Sequence, residues 1–122
     1  MPDHTLILSP EALQGLSALQ SEPKFHPEHL YPGARTEEVR RNAEAAINAM
    51  LGRLRVGLPA APRKSYVLSE CLDMLKAFEG EDTEEREQAC TYCERVMELL
   101  GIESSDGLLN TWLYGFDPEQ KP

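Results

Sequence analysis

The sequence TEEVRRNAEAAINAMLGRLRVG, residues 36–57, is the clearest indication of fold class in this chain. Its apolar residues recur at steps of three and four, which places them on one face of an α-helix. Thr36 can cap that helix, and Glu37 and Glu38 suit the positive end of the helix dipole. The stretch therefore predicts a long amphipathic helix whose buried face holds Val39, Ala43, Ala46, Ile47, Met50, Leu51 and Leu54.

Four further segments have the same period, and each begins with a capping signal. In chain order the signals are Ser9-Pro10, Ser65, Asp82 with Glu85 at capping-box spacing, and Ser104-Ser105-Asp106. The predicted inner faces are Leu13, Leu16 and Leu19; Val67, Leu68, Cys71, Leu72, Leu75 and Phe78; Ala89, Cys90, Cys93, Val96, Met97 and Leu100; and Leu108, Leu109, Trp112 and Leu113. The sequence thus predicts five helices, with the second and the fourth at the centre.

The only strand candidate is Thr5-Leu6-Ile7-Leu8. A lone strand has nothing to pair with unless a partner molecule supplies an edge. We therefore expect an all-α bundle of about five helices in a single domain over residues 1–122. Residues 1–8 are expected to be flexible or a short extended arm. Residues 21–35 are expected to be an ordered connection, because their prolines and aromatics are unsuited to a free linker.

Charge is divided unevenly along the chain, whose formal net charge is −9. Residues 1–64 carry 8 basic and 7 acidic side chains, whereas residues 65–122 carry 4 basic and 14 acidic ones. Such a field repels nucleic-acid phosphates and anionic lipid, so we expect neither nucleic acid nor a membrane as partner. A basic protein is the expected partner. The densest acidic group comprises Glu79, Glu81, Asp82, Glu84, Glu85 and Glu87.

The C-terminal part of the chain is rich in aromatic residues, with the only tryptophan, Trp112, close to Tyr114 and Phe116. Aromatics placed in this way either close a bundle or anchor a partner. The predicted partner-binding residues are therefore the six carboxylates of residues 79–87 together with Trp112 and Tyr114. The acidic group could instead be a solvated surface whose carboxylates only form ion pairs with nearby arginines.

Three cysteines, Cys71, Cys90 and Cys93, are an odd number in a chain without an export signal, so we expect them to be reduced. Cys90 and Cys93 form a CxxC inside a helix and on its apolar face, which favours core packing over redox or zinc chemistry. A metal- or redox-responsive protein that uses these two thiols is kept as an alternative. Prolines around His26 and His29 exclude a helical metalloprotease motif.

No catalytic motif is recognisable, and we therefore expect a protein that is not an enzyme and needs no cofactor or metal. The longest apolar runs are only a few residues long, which is too short to span a membrane. The start of the sequence lacks the basic stretch and long apolar run of a secretion signal. These features predict a cytoplasmic protein.

Several segments resemble one family of small, helical, cytoplasmic bacterial proteins that is known only as a domain of unknown function. They are Tyr31-Pro32-Gly33, Thr36-Glu37-Glu38, the helix start at residues 82–87 and the ending at residues 101–118. The resemblance implies a small helical fold without an established reaction, and it assigns no role to any residue. In type, the chain is also similar to immunity proteins of bacterial toxin systems, which are small, acidic and free of catalytic motifs.

The predicted function is non-enzymatic binding that neutralises or regulates a basic protein, such as a toxin domain, through the acidic C-terminal half. Two alternatives belong to other classes. One is the metal- or redox-responsive protein described above, and the other is a helical domain that associates only with itself.

Overall fold

A computed structural model describes residues 4–28 and 30–115 of the chain. These residues form a bundle of five helices, and a single 3₁₀ turn, Lys76–Phe78, follows the third of them. The helices are α1 Pro10–Ser21, α2 Glu37–Gly57, α3 Lys64–Leu75, α4 Thr83–Leu99 and α5 Leu108–Tyr114. The all-α prediction is therefore confirmed. None of the described helices is both long and apolar enough to cross a membrane.

Two of the predicted helix caps are formed by side chains. Ser9 Oγ accepts a hydrogen bond from the Ala12 amide at 3.0 Å, and Thr36 Oγ1 accepts one from the Val39 amide at 3.1 Å. Each bond satisfies a backbone donor that the first helical turn leaves free. The local sequence is sufficient to place these two helix starts.

The capping box predicted for α4 is wrong. Asp82 is the N-cap residue, but its side chain makes no capping hydrogen bond. Its carboxylate lies 3.2 Å from Arg35 Nη1, on the segment that precedes α2. Glu85, the other half of the predicted box, is buried. An ion pair between distant parts of the chain has replaced the local cap.

The core lies where the apolar faces of the helices meet, and α4 contacts each of the other four helices. α3 is rotated slightly from its predicted orientation. Met74 is buried, whereas Leu68 and Leu72, both predicted to face inward, are only half-buried. The buried stripe of α3 and the 3₁₀ turn is Val67, Cys71, Met74, Leu75 and Phe78.

The connection between α1 and α2 contributes an aromatic ring to the core. Phe25 stacks on Phe78 with centroids 5.8 Å apart, and it meets Tyr92 of α4 at 5.5 Å. Tyr31 packs its ring edge-on against Phe25 at 6.3 Å. Aromatic contacts of this kind add to the free energy of burial. The connection is therefore part of the packed structure.

A lysine in the same connection completes the C-terminus of α1. Lys24 is fully buried, and its Nζ donates to the carbonyl oxygens of Leu19, Gln20 and Glu22 at 2.5, 3.3 and 2.7 Å. The last carbonyls of a helix have no partner within the helix, so a cation there satisfies both hydrogen bonding and the helix dipole. Burial nevertheless lowers the pKa of Lys24.

The extended segment near the N-terminus pairs within the chain, contrary to the prediction that only a partner molecule could supply an edge. The Leu6 amide donates to Pro62 O at 2.6 Å, and the Lys64 amide donates to His4 O at 3.0 Å. The loop between α2 and α3 thus provides the edge. Residues 1–3 of the predicted arm lie outside the described residues.

α5 begins later than the predicted start at residues 104–106. Asp106 and Gly107 have φ angles of 58° and 84°, so neither belongs to a right-handed helix. Ser105 still takes part in the helix start, because its Oγ accepts from the Leu109 amide at 3.3 Å. Ser105 thus provides a side-chain acceptor, but the N-cap residue is Gly107 and the helix begins at Leu108.

Candidate protein-binding surface

The predicted acidic group divides into exposed and buried members. Glu79, Asp82, Glu84 and Glu87 are exposed and Glu81 is half-buried, whereas only 3% of Glu85 is exposed. The prediction that all six carboxylates form one surface is therefore wrong for Glu85.

Glu85 is buried because of its position on α4. Ala89, Cys93 and Val96 follow it at steps of four, four and three residues. All three are buried on the same face of the helix. Burial raises the pKa of Glu85, and the nearby carboxylate of Asp82 raises it further. These surroundings disfavour the charged form of Glu85, so its side chain is unsuited to direct contact with a basic partner.

Glu85 also affects the connection between α1 and α2. Burial raises the pKa of Tyr31, and the next largest cause is the charge of Glu85. The Tyr31 hydroxyl is buried and has no hydrogen-bond partner among the described residues. The Tyr31 hydroxyl is therefore within electrostatic range of the first turn of α4.

The exposed face of α4 continues the acidic surface beyond the predicted segment. Glu84, Glu87, Glu94 and Glu98 are all exposed and follow one another at helical spacing. No described residue forms an ion pair with any of the four. We call these four residues the α4 acidic stripe.

The two arginines of α4 interact with other groups and not with the stripe. Arg95 of α4 binds Glu22 at the end of α1, with an Nη2 to Oε2 distance of 2.8 Å. Arg86, the only cation of residues 79–87, lies over the Trp112 ring at 5.1 Å and donates to Leu113 O at 3.3 Å. Both guanidinium groups hold parts of the bundle together and leave the stripe uncompensated.

Local charge density does not reveal Glu94 and Glu98, because both lie outside the dense acidic group of residues 79–87. The signal that could have found them is periodicity, since residues 84, 87, 94 and 98 alternate with the buried positions of the same helix. The helix period collects on one face carboxylates that are dispersed in the sequence.

The two predicted aromatic anchors have different surroundings. Trp112 is half-buried beneath Arg86 and packs against the core, so it holds α5 on the bundle. Tyr114, at the end of α5, is 55% exposed and available for contact. The following aromatic, Phe116, lies outside the described residues.

A further exposed apolar side chain was not predicted. Leu30 is 93% exposed and has a φ of 67°, an unusual angle for a residue with a Cβ. It lies in a tight turn closed by two hydrogen bonds between Glu28 and Tyr31, at 2.9 and 3.0 Å. Leu30 thus projects from the connection between α1 and α2.

The three cysteines are free and buried, as predicted for core residues. The Cys71 thiol and burial together raise the pKa of Cys93. Burial also raises the pKa of Cys90 to about 11. Such thiols carry little thiolate at neutral pH, which is the form that attacks disulfides and binds metals.

Metal binding has no geometric basis in the described part of the chain. No group of three or more histidine, cysteine, aspartate or glutamate side chains is placed there to hold a metal ion. His26 is exposed in the connection, and His29 lies outside the described residues. The acidic surface is therefore the best supported candidate site.

Comparison with known proteins concerns the fold and the family. A DUF3571 family protein from Acinetobacter baumannii AYE, known from a crystal structure, is similar with a TM-score of 0.76 and 26% sequence identity. The similarity covers 85% of this chain and 89% of that chain. No curated protein matches the chain. The family described as domain of unknown function (DUF4844) matches residues 7–117. The predicted resemblance to a helical family of unknown function is thus confirmed, and the chain belongs to the DUF4844 family.

Proposed function

We propose that this protein is a non-enzymatic binding domain whose acidic surface docks a basic protein. The observation that carries the proposal is the α4 acidic stripe, four exposed carboxylates without an ion-pair partner among the described residues. A row of uncompensated carboxylates creates a local negative potential. Such a potential attracts a cationic partner over long range and selects it by charge.

Leu30 supports the proposal as an exposed apolar side chain that could contact a partner. A non-glycine residue at positive φ costs roughly 1–3 kcal/mol, and the exposed Leu30 side chain recovers none of it by burial in the monomer. Binding energy in protein interfaces is concentrated in a few apolar anchors surrounded by polar residues. Leu30 and Tyr114 are suited to be such anchors, because both side chains are largely exposed.

The more specific part of the proposal is that the chain neutralises a basic toxin, as immunity proteins do. Its small size and net charge of −9 support this role, because fast capture of a basic protein depends on electrostatic steering. We place the encounter in the cytoplasm, where the free thiols of Cys71, Cys90 and Cys93 would stay reduced. Coexpression of this chain with the product of an adjacent toxin-like reading frame should then restore the growth of cells that this product alone inhibits.

A site-specific cross-link tests the docking surface directly. Thr91 is exposed and lies within the stripe without contributing charge, so a photo-reactive residue there preserves all four carboxylates. Ser69 on α3 is also exposed and serves as the control position. We expect a basic protein to be cross-linked from Thr91 and not from Ser69. Equal products from both positions, or none from Thr91, would contradict the proposal.

The association rate of the cross-linked partner then provides the quantitative test. The double variant Glu84→Lys/Glu87→Lys should slow association at least about tenfold and weaken its dependence on salt. The matched control is Glu11→Lys/Glu38→Lys, which changes net charge equally at exposed positions of α1 and α2. If both double variants slow association equally, only net charge matters and docking on α4 is wrong.

A further inference from the structure

The extended segment at residues 4–8 has one paired edge and one open edge. The hydrogen bonds to the α2–α3 loop use the backbone groups of His4 and Leu6. Because backbone groups alternate between the two edges of an extended chain, those of Thr5 and Ile7 point the other way. They have no hydrogen-bond partner within the described residues. An open edge of this kind can accept another extended chain.

A cavity of about 700 Å³ adjoins the open edge, and Thr5 and Ile7 are among the residues that line it. Leu99, Leu100 and Ile102, at the C-terminal end of α4, provide its apolar side. Ile7 itself is 90% exposed at the edge of the cavity. We call this cavity the N-terminal groove. It is within the size range of ligand-binding pockets and can hold one or two side chains of an incoming strand.

The charge of the groove is negative. Glu98 and Glu103 line it, both are exposed, and neither has an ion-pair partner among the residues described. Lys64, which also lines the groove, is bound to Asp106 at 3.0 Å and is therefore compensated. An occupant should bring positive charge next to apolar side chains. A second copy of this chain fits poorly, because two molecules of net charge −9 repel each other.

We infer that the N-terminal groove binds an extended basic segment of the partner, which adds a strand to the open edge at Thr5 and Ile7. Main-chain hydrogen bonds would supply affinity, and Glu98 and Glu103 would select lysine or arginine side chains. This inference rests on the proposed function and names the part of the partner that is recognised. The α4 acidic stripe leads to the groove, since Glu98 belongs to both.

A defined probe tests the groove without knowledge of the partner. The probe is an acetylated, amidated nine-residue peptide of alternating lysine and valine, titrated into the full chain labelled with ¹⁵N. We expect the largest shift changes at residues 4–8 and 98–104, and at least about tenfold slower hydrogen exchange of the Thr5 and Ile7 amides. Shifts confined to residues 84–95 would show binding by charge alone and would overturn the inference, as would no shifts at all.

Two control peptides separate main-chain from side-chain recognition. A peptide in which glutamate replaces lysine should bind at least about tenfold more weakly, because Glu98 and Glu103 repel it. Methylation of the alternate backbone amides along one edge of the lysine peptide should also weaken binding about tenfold. Equal affinity of the methylated peptide would exclude strand addition.

Variants of the chain test the same geometry from the other side. Ile7→Pro removes the open-edge amide but leaves the hydrogen bonds of His4 and Leu6, and it should abolish peptide binding. Ile7→Ala keeps the amide and should bind within about threefold of the original chain, because the lost side chain is mostly exposed. Glu98→Lys/Glu103→Lys should weaken binding at least about tenfold even if Ile7→Pro fails to fold.

The groove and the stripe can fail independently. Suppose that the photo-reactive residue at position 91 cross-links the partner, but the peptide does not change the NMR shifts of residues 4–8. The inference is then wrong, and the proposed function stands. If the peptide binds the groove while Glu84→Lys/Glu87→Lys leaves partner association unchanged, docking on the stripe is wrong. Self-association that increases with concentration and shifts residues 4–8 would assign the open edge to a second copy, which also overturns the inference.

Discussion

α2 and α4 contain the same three residues, threonine followed by two glutamates, at their N-terminal ends, yet the residues have different roles. Thr36 caps α2 from outside the helix, whereas Thr83 is the first helical residue of α4. Glu37 of α2 pairs with Arg40 at 2.6 Å. Glu84, its counterpart in α4, has no such partner in the described structure, and Glu85 is buried. The same short sequence thus produces a neutralised surface in one helix and an acidic surface in the other.

The difference shows which properties of a helix start are local. Acidic residues in the first turn favour either helix through the dipole, wherever the helix is placed. Whether their charge remains available depends on residues one turn later, such as Arg40 in α2, and on the packing of the connection against α4. The surface that we propose for binding is therefore a property of the assembled bundle.

The largest expected effect concerns the buried apolar face of α2, a feature that α4 also has. Ile47 of α2 has no exposed surface, so Ile47→Ala should lower the free energy of unfolding by about 2–5 kcal/mol. Leu72→Ala is the matched control on α3, and it should cost clearly less because Leu72 is only half-buried. Urea denaturation followed by far-ultraviolet circular dichroism measures both. Equal losses would show that the inner face of α3 is wrongly placed.

A smaller effect separates the two threonines. Thr36→Ala removes the hydrogen bond from the Val39 amide to Thr36 Oγ1 and should cost about 1 kcal/mol of stability. Thr83→Ala removes no cap and should change stability by less than about 0.5 kcal/mol. The same denaturation measurement distinguishes them. A loss of similar size in both variants would contradict the assignment of Asp82 as the N-cap of α4.

The last effect, comparable in size to that of Thr36→Ala, concerns Glu85, whose pKa is raised in the folded protein by burial. The folded state therefore holds this proton more tightly than the unfolded state, and stability falls as pH rises above the unfolded pKa of about 4.3. Glu85→Gln removes the buried charge and should stabilise the protein at pH 7 by on the order of 1 kcal/mol. This gain should disappear near pH 3, where the Glu85 carboxyl would be protonated in both the folded and the unfolded state.

Glu38 is the control for this pH experiment, because it is the second glutamate of the same Thr-Glu-Glu sequence at the start of α2 but is exposed. Glu38→Gln should bring no gain at pH 7 and a slight loss through the helix dipole. Thermal unfolding at several pH values between 3 and 8 compares the two variants. A gain in both, or a gain for Glu85→Gln that persists at pH 3, would contradict a buried, charge-disfavouring site for Glu85.

The sequence shows the local charge density of the candidate surface but not how its carboxylates are arranged. The six acidic residues of residues 79–87 mark the start of the stripe, but Glu85 lies inside, and the stripe continues to Glu94 and Glu98. The same holds for the aromatics, since Trp112 packs and Tyr114 is exposed. Sequence proximity indicates a region, whereas the helix rotation selects which of its side chains meet solvent.

The hydrophobic period was enough to predict the five helices and the inner position of the three cysteines, because both depend on interactions within a few residues. Capping residues were enough to predict only the caps at Ser9 and Thr36. The pairing of residues 4–6 with the α2–α3 loop, the ion pair of Arg35 with Asp82 and the half-exposure of Leu72 arise only when distant segments meet. Such contacts join residues far apart in the chain, and their geometry depends on how the packed helices are rotated about their axes. The open edge beside the N-terminal groove also arises only in the folded bundle. A short extended segment has an open edge only after its other edge has paired, here with the α2–α3 loop.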